Sequence, residues 1–268
     1  MLCRIDKRRD WLLRLYHERL MHDDAVFVTL TYDKDRLPMG HSLSKADFQL
    51  FMKRLRQKIW RKDRTKVRFF AVGEYGNEKK RPHYHAIIFG YRFSDAFGCG
   101  FRGPNKAFRS AMLESTWKFG FSEFSDVDIG LLKYIAGYHL KKYSGDRTDE
   151  YYLEQYERVD YRTGEIYHVE PEFQLCSSRP GIGASWFEKF GKTDAVNNGF
   201  CVFEGARHSI PKYYMRIVEE DYPEEYERLV EQTEKYVESL GDEYSAERLD
   251  VKEEVARRIA RSSARGSL

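Results

Sequence analysis

Two runs of β-forming residues, Val67–Glu74 and His83–Phe89, lie only eight residues apart. The segment between them contains Gly76-Asn77 and a Lys-Lys-Arg run, which are typical of a connection between antiparallel strands. The two runs therefore predict a β-hairpin, and with it a sheet that is at least partly antiparallel.

Further runs predict that this sheet belongs to a mixed domain. Ala25–Asp33 is expected to form a strand because β-branched and aromatic residues dominate it. Ser44 is expected to cap a helix over Lys45–Arg61. The other predicted elements are helices at 7–21, 106–119, 129–143 and 184–190, a strand at 121–127, and exposed helices within 222–261. Strands joined by a hairpin and by helices predict an α+β fold.

Composition excludes several classes of protein. Hydrophobic residues make up 41% and aromatic residues 15% of the chain, which argues against wholesale disorder. No apolar run approaches the ~18 residues of a membrane helix, and residues 1–20 have no apolar signal-peptide core. Four cysteines are widely spaced without a CxxC pair, as expected in a reducing cytoplasm rather than in a disulfide scaffold or zinc ribbon.

Charge is distributed unevenly along the chain. Residues 1–70 hold 18 basic and 9 acidic side chains, whereas residues 147–268 hold 17 basic and 26 acidic ones. A basic front half suits a polyanion, because neutralising phosphates releases counterions, although a solvated surface explains it equally well. Within it, Arg54, Lys58 and Arg61 are predicted to contact a DNA backbone, with a solvated helix face as the alternative.

A His-x-His pair predicts half of a metal site. His83 and His85 are two residues apart on a strand, so both imidazoles project from one face. A hairpin centred near residues 77–80 places Glu74 opposite His83 and on the same face. Two histidines and one carboxylate leave open coordination positions, which suits Mg²⁺ or Mn²⁺ bound to a phosphate. Zinc is an alternative if Cys99 joins, and two hydrogen-bonded strand histidines without a metal are another.

A pair of tyrosines predicts a nucleophile. Tyr134 and Tyr138 are four residues apart on a predicted helix and share a face, with Lys141 and Lys142 on or near it. A nearby ammonium or metal ion favours the phenolate, which can attack a phosphodiester. Core packing is the alternative explanation of such a pair.

In this order, the motifs resemble those of the HUH endonucleases. More narrowly, they are similar to the replication initiators of small single-stranded DNA bacteriophages, the microviruses, on their gokushovirus branch. The similar segments are FVTLTYD (Phe27–Asp33), GEYG (Gly73–Gly76), RPHYHAIIFG (Arg81–Gly90), the tyrosine helix with its two lysines, and SSRPGIGASWF (Ser177–Phe187).

The resemblance implies a fold and a reaction. The fold would be a central antiparallel sheet of about five strands flanked by helices, with residues 1–146 as the endonuclease domain and 147–268 as an acidic, partly helical C-terminal extension. The reaction would be nicking of single-stranded origin DNA through a 5′-phosphotyrosine. The metal ligands would be Glu74, His83 and His85, and the catalytic residues Tyr134, Tyr138, Lys141 and Lys142.

The same resemblance implies a rolling-circle initiator in the cytoplasm of a bacterial host. A host helicase and polymerase would act after it, and no membrane would be involved. Arg179 lies in a turn before a helix and is expected either to bind a phosphate or only to enter that helix. The alternatives are a transposase or relaxase with the same fold, and a non-catalytic domain whose sheet stacks single-stranded bases.

Overall fold

The structure, a computed structural model, describes residues 2–76, 80–141, 150–160 and 162–265 of the 268-residue chain. It divides into two compact units. The terminal unit combines Met1–His17 with Gly183–Leu268, and the sheet unit comprises Glu18–Ile182. This division differs from the predicted boundary at residue 146, because residues beyond it add an edge strand to the sheet.

The sheet unit contains an extended antiparallel sheet. Its described strands are β1 (Ala25–Tyr32), β2 (Arg68–Tyr75), β3 (Pro82–Phe89), β4 (Phe97–Arg102), β5 (Asn105–Arg109), β6 (Gly120–Asp126), β7 (Glu157–Val159), β8 (Ile166–His168) and β9 (Phe173–Cys176). Seven of them form one sheet in the order β4-β5-β6-β1-β3-β2-β9, and β7 pairs with β8 separately. The α+β fold with a central antiparallel sheet is confirmed, with seven strands where about five were expected.

Helices flank the sheet and dominate the terminal unit. The described ones are α1 (Leu2–Leu20), α2 (Lys45–Asp63), α3 (Ala111–Thr116), α4 (Ile129–Lys141), α5 (Glu150–Tyr156), α6 (Ala184–Trp186), α7 (Lys212–Asp221), α8 (Pro223–Ser239) and α9 (Ala246–Arg265). A π-helix (Phe187–Val196) follows α6, and 3₁₀ turns occur at Lys34–Arg36, Met39–His41 and Gly241–Tyr244. Strands β10 (Cys201–Phe203) and β11 (Ala206–His208) pair with each other. Among the described helices, none combines the length and apolar character needed to cross a bilayer.

The two faces of the sheet have different surroundings. Because side chains alternate along a strand, Thr29, His83 and His85 project from one face, here called the histidine face. Tyr84 projects from the opposite face, which packs against α2 and is here called the α2 face. The main core lies on the α2 face and includes Val26, Val28, Leu30, Ala86 and Ile88 from the sheet and Phe48, Phe51, Leu55 and Ile59 from α2.

Helix α2 is fixed at its first residue. The Ser44 side chain accepts a hydrogen bond from the backbone N–H of Asp47 (3.1 Å), so the predicted N-cap is confirmed. The hydroxyl of Tyr84 lies 2.9 Å from both the backbone N and the backbone O of Ser44. It also lies 2.8 Å from the hydroxyl of Tyr32. The central residue of the His-x-His motif therefore connects β3 to the start of α2.

The segment after the central hairpin differs from its prediction. Residues 106–109, predicted to be helical, belong to β5, and the helix begins only at Ala111, where Ser110 caps it. The prediction failed because β5 pairs with β4, a glycine-rich run without local strand character. The helix predicted at 129–143 is confirmed as α4 over the described residues.

The terminal unit has an aromatic core of its own. His17 is 2% exposed and stacks on Trp186, with ring centroids 3.5 Å apart. Its Nδ1 lies 3.1 Å from the hydroxyl of Tyr214. Burial lowers the pKa of His17 to about 3, so the ring is neutral at neutral pH. The predicted C-terminal helices are confirmed as α8 and α9.

Candidate metal centre

The hairpin β2–β3 brings three metal-ligating side chains together. Glu74 pairs with His83 and Val72 with His85, which is the register that the sequence predicts. The Nε2 atoms of His83 and His85 lie 3.1 Å and 3.3 Å from the same oxygen, Oε1 of Glu74. One ligand atom from each of the three residues lies within 4.8 Å of the other two.

Neighbouring groups hold the two imidazole rings. Nδ1 of His83 lies 3.2 Å from the carbonyl oxygen of Arg81. Because a carbonyl can only accept, this nitrogen carries the hydrogen, and Nε2 of the neutral ring keeps a lone pair toward Glu74. Nδ1 of His85 lies 3.1 Å from Oγ1 of Thr29, on the adjacent strand. Such partners orient ligating histidines in metal sites.

The cluster fits a divalent cation in donor chemistry and in spacing. Glu74 is only 8% exposed, and a carboxylate so buried requires a compensating charge or hydrogen bonds. An octahedral ion about 2.1 Å from each ligand separates neighbouring ligand atoms by roughly 3 Å, close to the two distances to Glu74. Nitrogen and oxygen ligands from only three residues leave positions for a phosphate and water.

Tyr134 lies directly at this cluster. Its hydroxyl donates to Oε1 of Glu74 (2.8 Å), and its ring meets that of His85 edge-on at 5.4 Å. The residue is 46% exposed, so a substrate can approach it from solvent. Partial burial of the hydroxyl and the negative charge of Glu74 raise the pKa of Tyr134, which keeps the phenol protonated.

Tyr138 has a different environment from Tyr134. It is 3% exposed, and its hydroxyl donates to the backbone carbonyl of Gly73 (3.1 Å). The two tyrosines share a helix face, as predicted, but only Tyr134 contacts a residue of the metal cluster among the described contacts. Lys142 and the side chain of Lys141 lie outside the described residues.

A second carboxylate, which the sequence analysis missed, lies near the cluster. Glu172 immediately precedes β9, the strand that pairs with β2. Burial and, to a smaller extent, the charge of Glu74 raise the pKa of Glu172, while Tyr156 donates a hydrogen bond to it. No local motif indicates this proximity, because it arises from pairing between distant strands.

The predicted DNA-binding residues of α2 lie across the sheet from the cluster. Arg54, Lys58 and Arg61 belong to the helix that covers the α2 face. Lys58 donates from Nζ to Oγ of Ser115 (2.6 Å). The structure therefore does not bring these side chains to the histidines.

Arg179 lies at the other end of β2 from the cluster. It is exposed in the turn after β9. Arg68 holds this turn by donating to the carbonyl oxygens of Pro180 and Gly181, each at 2.9 Å. Since Arg68 precedes Glu74 by six residues along one strand, the turn is roughly 20 Å from the cluster.

An open depression adjoins the cluster on the histidine face. Its volume is about 370 Å³. It is lined by Thr29, Thr31, Cys99, Arg102, Arg109, Phe121, Ser122 and Glu123. These residues come from four strands, and their proximity was not predicted because β4 and β5 were not recognised as strands.

Comparisons with known proteins agree with the geometry. A family model described as a replication-associated protein of the ORF2 type matches residues 25–143. The replication-associated protein VP4 of Bdellovibrio phage phiMH2K is 30% identical over 238 residues, which cover 84% of this chain and 67% of that protein. The replication-associated protein ORF4 of Chlamydia phage 1 is 31% identical over 148 residues, covering 53% and 36%. The replication-associated protein ORF2 of Spiroplasma virus 4 is 25% identical over 236 residues, covering 84% and 67%. No solved structure matches.

The matched region contains the whole cluster. Residues 25–143 include Glu74, His83, His85 and both tyrosines of α4. The match to the Bdellovibrio phage protein is longer than the sheet unit, so it also extends into the terminal unit. The resemblance to phage replication proteins is thus confirmed, and this chain belongs to the family of phage replication-associated proteins.

Proposed function

We propose that this protein initiates rolling-circle replication of a phage genome by nicking single-stranded DNA at the replication origin. One observation carries the proposal: the Tyr134 hydroxyl donates to the same Glu74 oxygen that both histidines face. A nucleophile and a set of metal ligands thereby meet at one point. The names of the relatives support a replication function, exerted in the bacterial host cytoplasm before a host helicase and polymerase act.

Glu74, His83 and His85 would hold Mg²⁺ or Mn²⁺. When bound, the ion would polarise the scissile phosphate and offset charge in the transition state. Thr29 and the Arg81 carbonyl keep the two rings turned toward Glu74, so the ligand set is organised before DNA arrives.

Tyr134 performs the first cleavage in this proposal. Its phenol loses a proton and its oxygen bonds to phosphorus. The bond from phosphorus to the 3′ oxygen breaks, and that oxygen takes up a proton. The products are a 5′-phosphotyrosine and a free 3′-OH. Because Glu74 raises the pKa of Tyr134, formation of the phenolate requires compensating positive charge at the cluster.

Tyr138 is the candidate for a second cleavage at the regenerated origin. That step needs a new nucleophile while Tyr134 still holds the 5′ end. Tyr138 must first release the Gly73 carbonyl, which favours the order Tyr134 and then Tyr138. Lys141 and Lys142 are proposed to favour the phenolate of either residue.

The test uses synthetic single-stranded oligonucleotides that tile the genome encoding the chain. The full-length protein is incubated with each oligonucleotide and Mn²⁺ or Mg²⁺, and adducts are resolved by denaturing electrophoresis. A 3′ label should travel with the protein and a 5′ label should not, because the tyrosine holds the 5′ end of the downstream fragment.

The matched control replaces the divalent ion with EDTA, which should abolish the adduct. Peptide mapping should locate the adduct on Tyr134. Tight binding to single strands without any adduct would contradict the proposal and favour a non-catalytic binding domain. An adduct carrying the 5′ label instead would assign the opposite polarity of cleavage.

A further inference from the structure

Phe121 is exposed on the histidine face beside the candidate metal centre. It pairs with Thr31 on β1, and Thr31 pairs with His83 on β3, so the three residues form one cross-strand row. Two strand spacings separate Phe121 from His83, or about 10 Å. The Phe121 residue is 66% exposed. A large aromatic ring left open to solvent at this distance from a reaction centre is available to a ligand.

The hairpin β4–β5 extends the same surface. Phe97 pairs with Arg109, whose guanidinium lies 5.9 Å from the Phe97 ring centroid. Arg102 donates to both carboxylate oxygens of Glu123, each at 2.8 Å. Residues 97–109 contain three basic side chains and no acidic one. The depression described above lies between this hairpin and the cluster, and its volume is within the ~300–1,000 Å³ range of ligand pockets.

We propose that this depression binds one nucleotide of the single-stranded DNA next to the scissile phosphate, with its base stacked on Phe121. The inference rests on the proposed function and adds to it a substrate-binding site on β4, β5 and β6. The occupant is single-stranded because stacking on an isolated ring needs a base with a free face. A base paired in a duplex presents only its edges.

Phosphates on either side of that base would meet the arginines. Arg109 donates to Glu114 (2.6 Å) and Arg102 to Glu123, and both pairs are exposed. Exposed ion pairs contribute only ~0–1 kcal/mol, so an arriving phosphate can compete for either guanidinium. Because each arginine begins with a carboxylate partner, we expect the aromatic ring to contribute more to affinity than either charge.

The chain provides a matched control for the ring. Phe101 is 67% exposed and lies in the same hairpin, but it pairs with Lys106 and projects from the α2 side of the sheet. Phe101→Ala and Phe121→Ala therefore remove the same side chain, at the same exposure, from opposite faces. Since both rings are exposed, neither variant should lose its fold, which thermal melting can verify.

The experiment measures binding of the full-length protein to a fluorescent mixed-sequence single-stranded 20-mer by anisotropy, in EDTA to prevent cleavage. Phe121→Ala should weaken binding about tenfold, since stacking contributes ~1–3 kcal/mol per base. Phe101→Ala should change it less than twofold, and Phe121→Trp should restore it. Affinity for a duplex of the same sequence should not respond to Phe121→Ala.

Equal effects of Phe121→Ala and Phe101→Ala would overturn the proposal, as would an equal loss of duplex binding. The outcome is independent of nicking, because no cleavage occurs in EDTA. A protein that binds through Phe121 but forms no adduct with Mn²⁺ would contradict the proposed function alone. A protein that forms the adduct but binds equally well without the Phe121 ring would contradict this inference alone.

Discussion

The two faces of the seven-stranded sheet show how one set of strands can serve two purposes. On the α2 face, aromatic and aliphatic side chains are buried against α2, and even a polar group such as the Tyr84 hydroxyl has partners. On the histidine face, polar and charged side chains alternate with apolar ones, and exposed rings remain around the cluster. Because successive residues point to opposite faces, His83, Tyr84 and His85 place chemistry and core on the same strand.

The largest expected effect is the loss of the histidine cluster. His83→Ala or His85→Ala should reduce adduct formation at least ~1,000-fold, since a metal contributes several kcal/mol to the transition state. The thermal midpoint should hardly change, because these side chains are outside the α2-face core. His168→Ala, which removes an exposed histidine from β8, is the control. Normal cleavage by His83→Ala would show that the site assignment is wrong.

The two tyrosines should differ in the first cleavage. Tyr134→Phe should form no first adduct, because the oxygen nearest the cluster is gone. Tyr138→Phe should still form it at Tyr134, while losing about 1 kcal/mol of stability with its hydrogen bond to Gly73. Mapping of the DNA-linked peptide decides between them. An active Tyr134→Phe together with an inactive Tyr138→Phe would reverse the proposed order.

On the α2 face, substitution should affect stability and not chemistry. Phe48 is fully buried and contacts the rings of Phe51, Phe69 and Tyr84. Phe48→Ala should lower the free energy of unfolding by ~3–5 kcal/mol, as measured in urea, because it leaves a cavity. Adduct formation per folded molecule should stay unchanged. A selective loss of cleavage would mean that the two faces are coupled.

Tyr84 should make the α2 face sensitive to alkali. Burial raises the pKa of Tyr84 to about 12, above its ordinary value near 10. The folded state therefore keeps a proton that the unfolded state releases, and stability falls as pH rises above 10. Between pH 9 and 11 the loss from this group is roughly 1 kcal/mol. In Tyr84→Phe the urea midpoint should fall less over this range, and an unchanged slope would contradict the assignment.

The smallest effect concerns the basic residues of α2. Each phosphate contact removed should flatten the log–log salt dependence of DNA affinity by about one unit. Since Arg54 and Lys58 lie across the sheet from the cluster, we expect Arg54→Ala to flatten it for a substrate with a duplex flank. A short single strand should show no change. The opposite result would place the cleaved strand against α2.

Local patterns were sufficient to predict the site itself. The hairpin register that pairs Glu74 with His83 follows from two β-forming runs and the length of the turn between them. The shared face of His83 and His85 follows from strand alternation, and the N-cap at Ser44 from its position before an apolar helix pattern. These features depend on residues close together in sequence, where propensity and spacing determine the geometry.

Features that depend on distant partners needed the tertiary structure. β9 adds to the sheet about one hundred residues after β2, and β5 is a strand because β4 pairs with it. Glu172 and Phe121 approach the cluster only through such pairings, and Tyr138 differs from Tyr134 only because the Gly73 carbonyl lies beneath it.

The sequence by itself determined the ligand set, its register and the helix that carries the tyrosines, because alternation and helical spacing are local properties of the chain. The tertiary structure decided which tyrosine meets Glu74, which face α2 covers and which aromatic rings remain exposed. Those outcomes depend on how separate elements pack, and burial against a distant partner leaves no pattern within either segment.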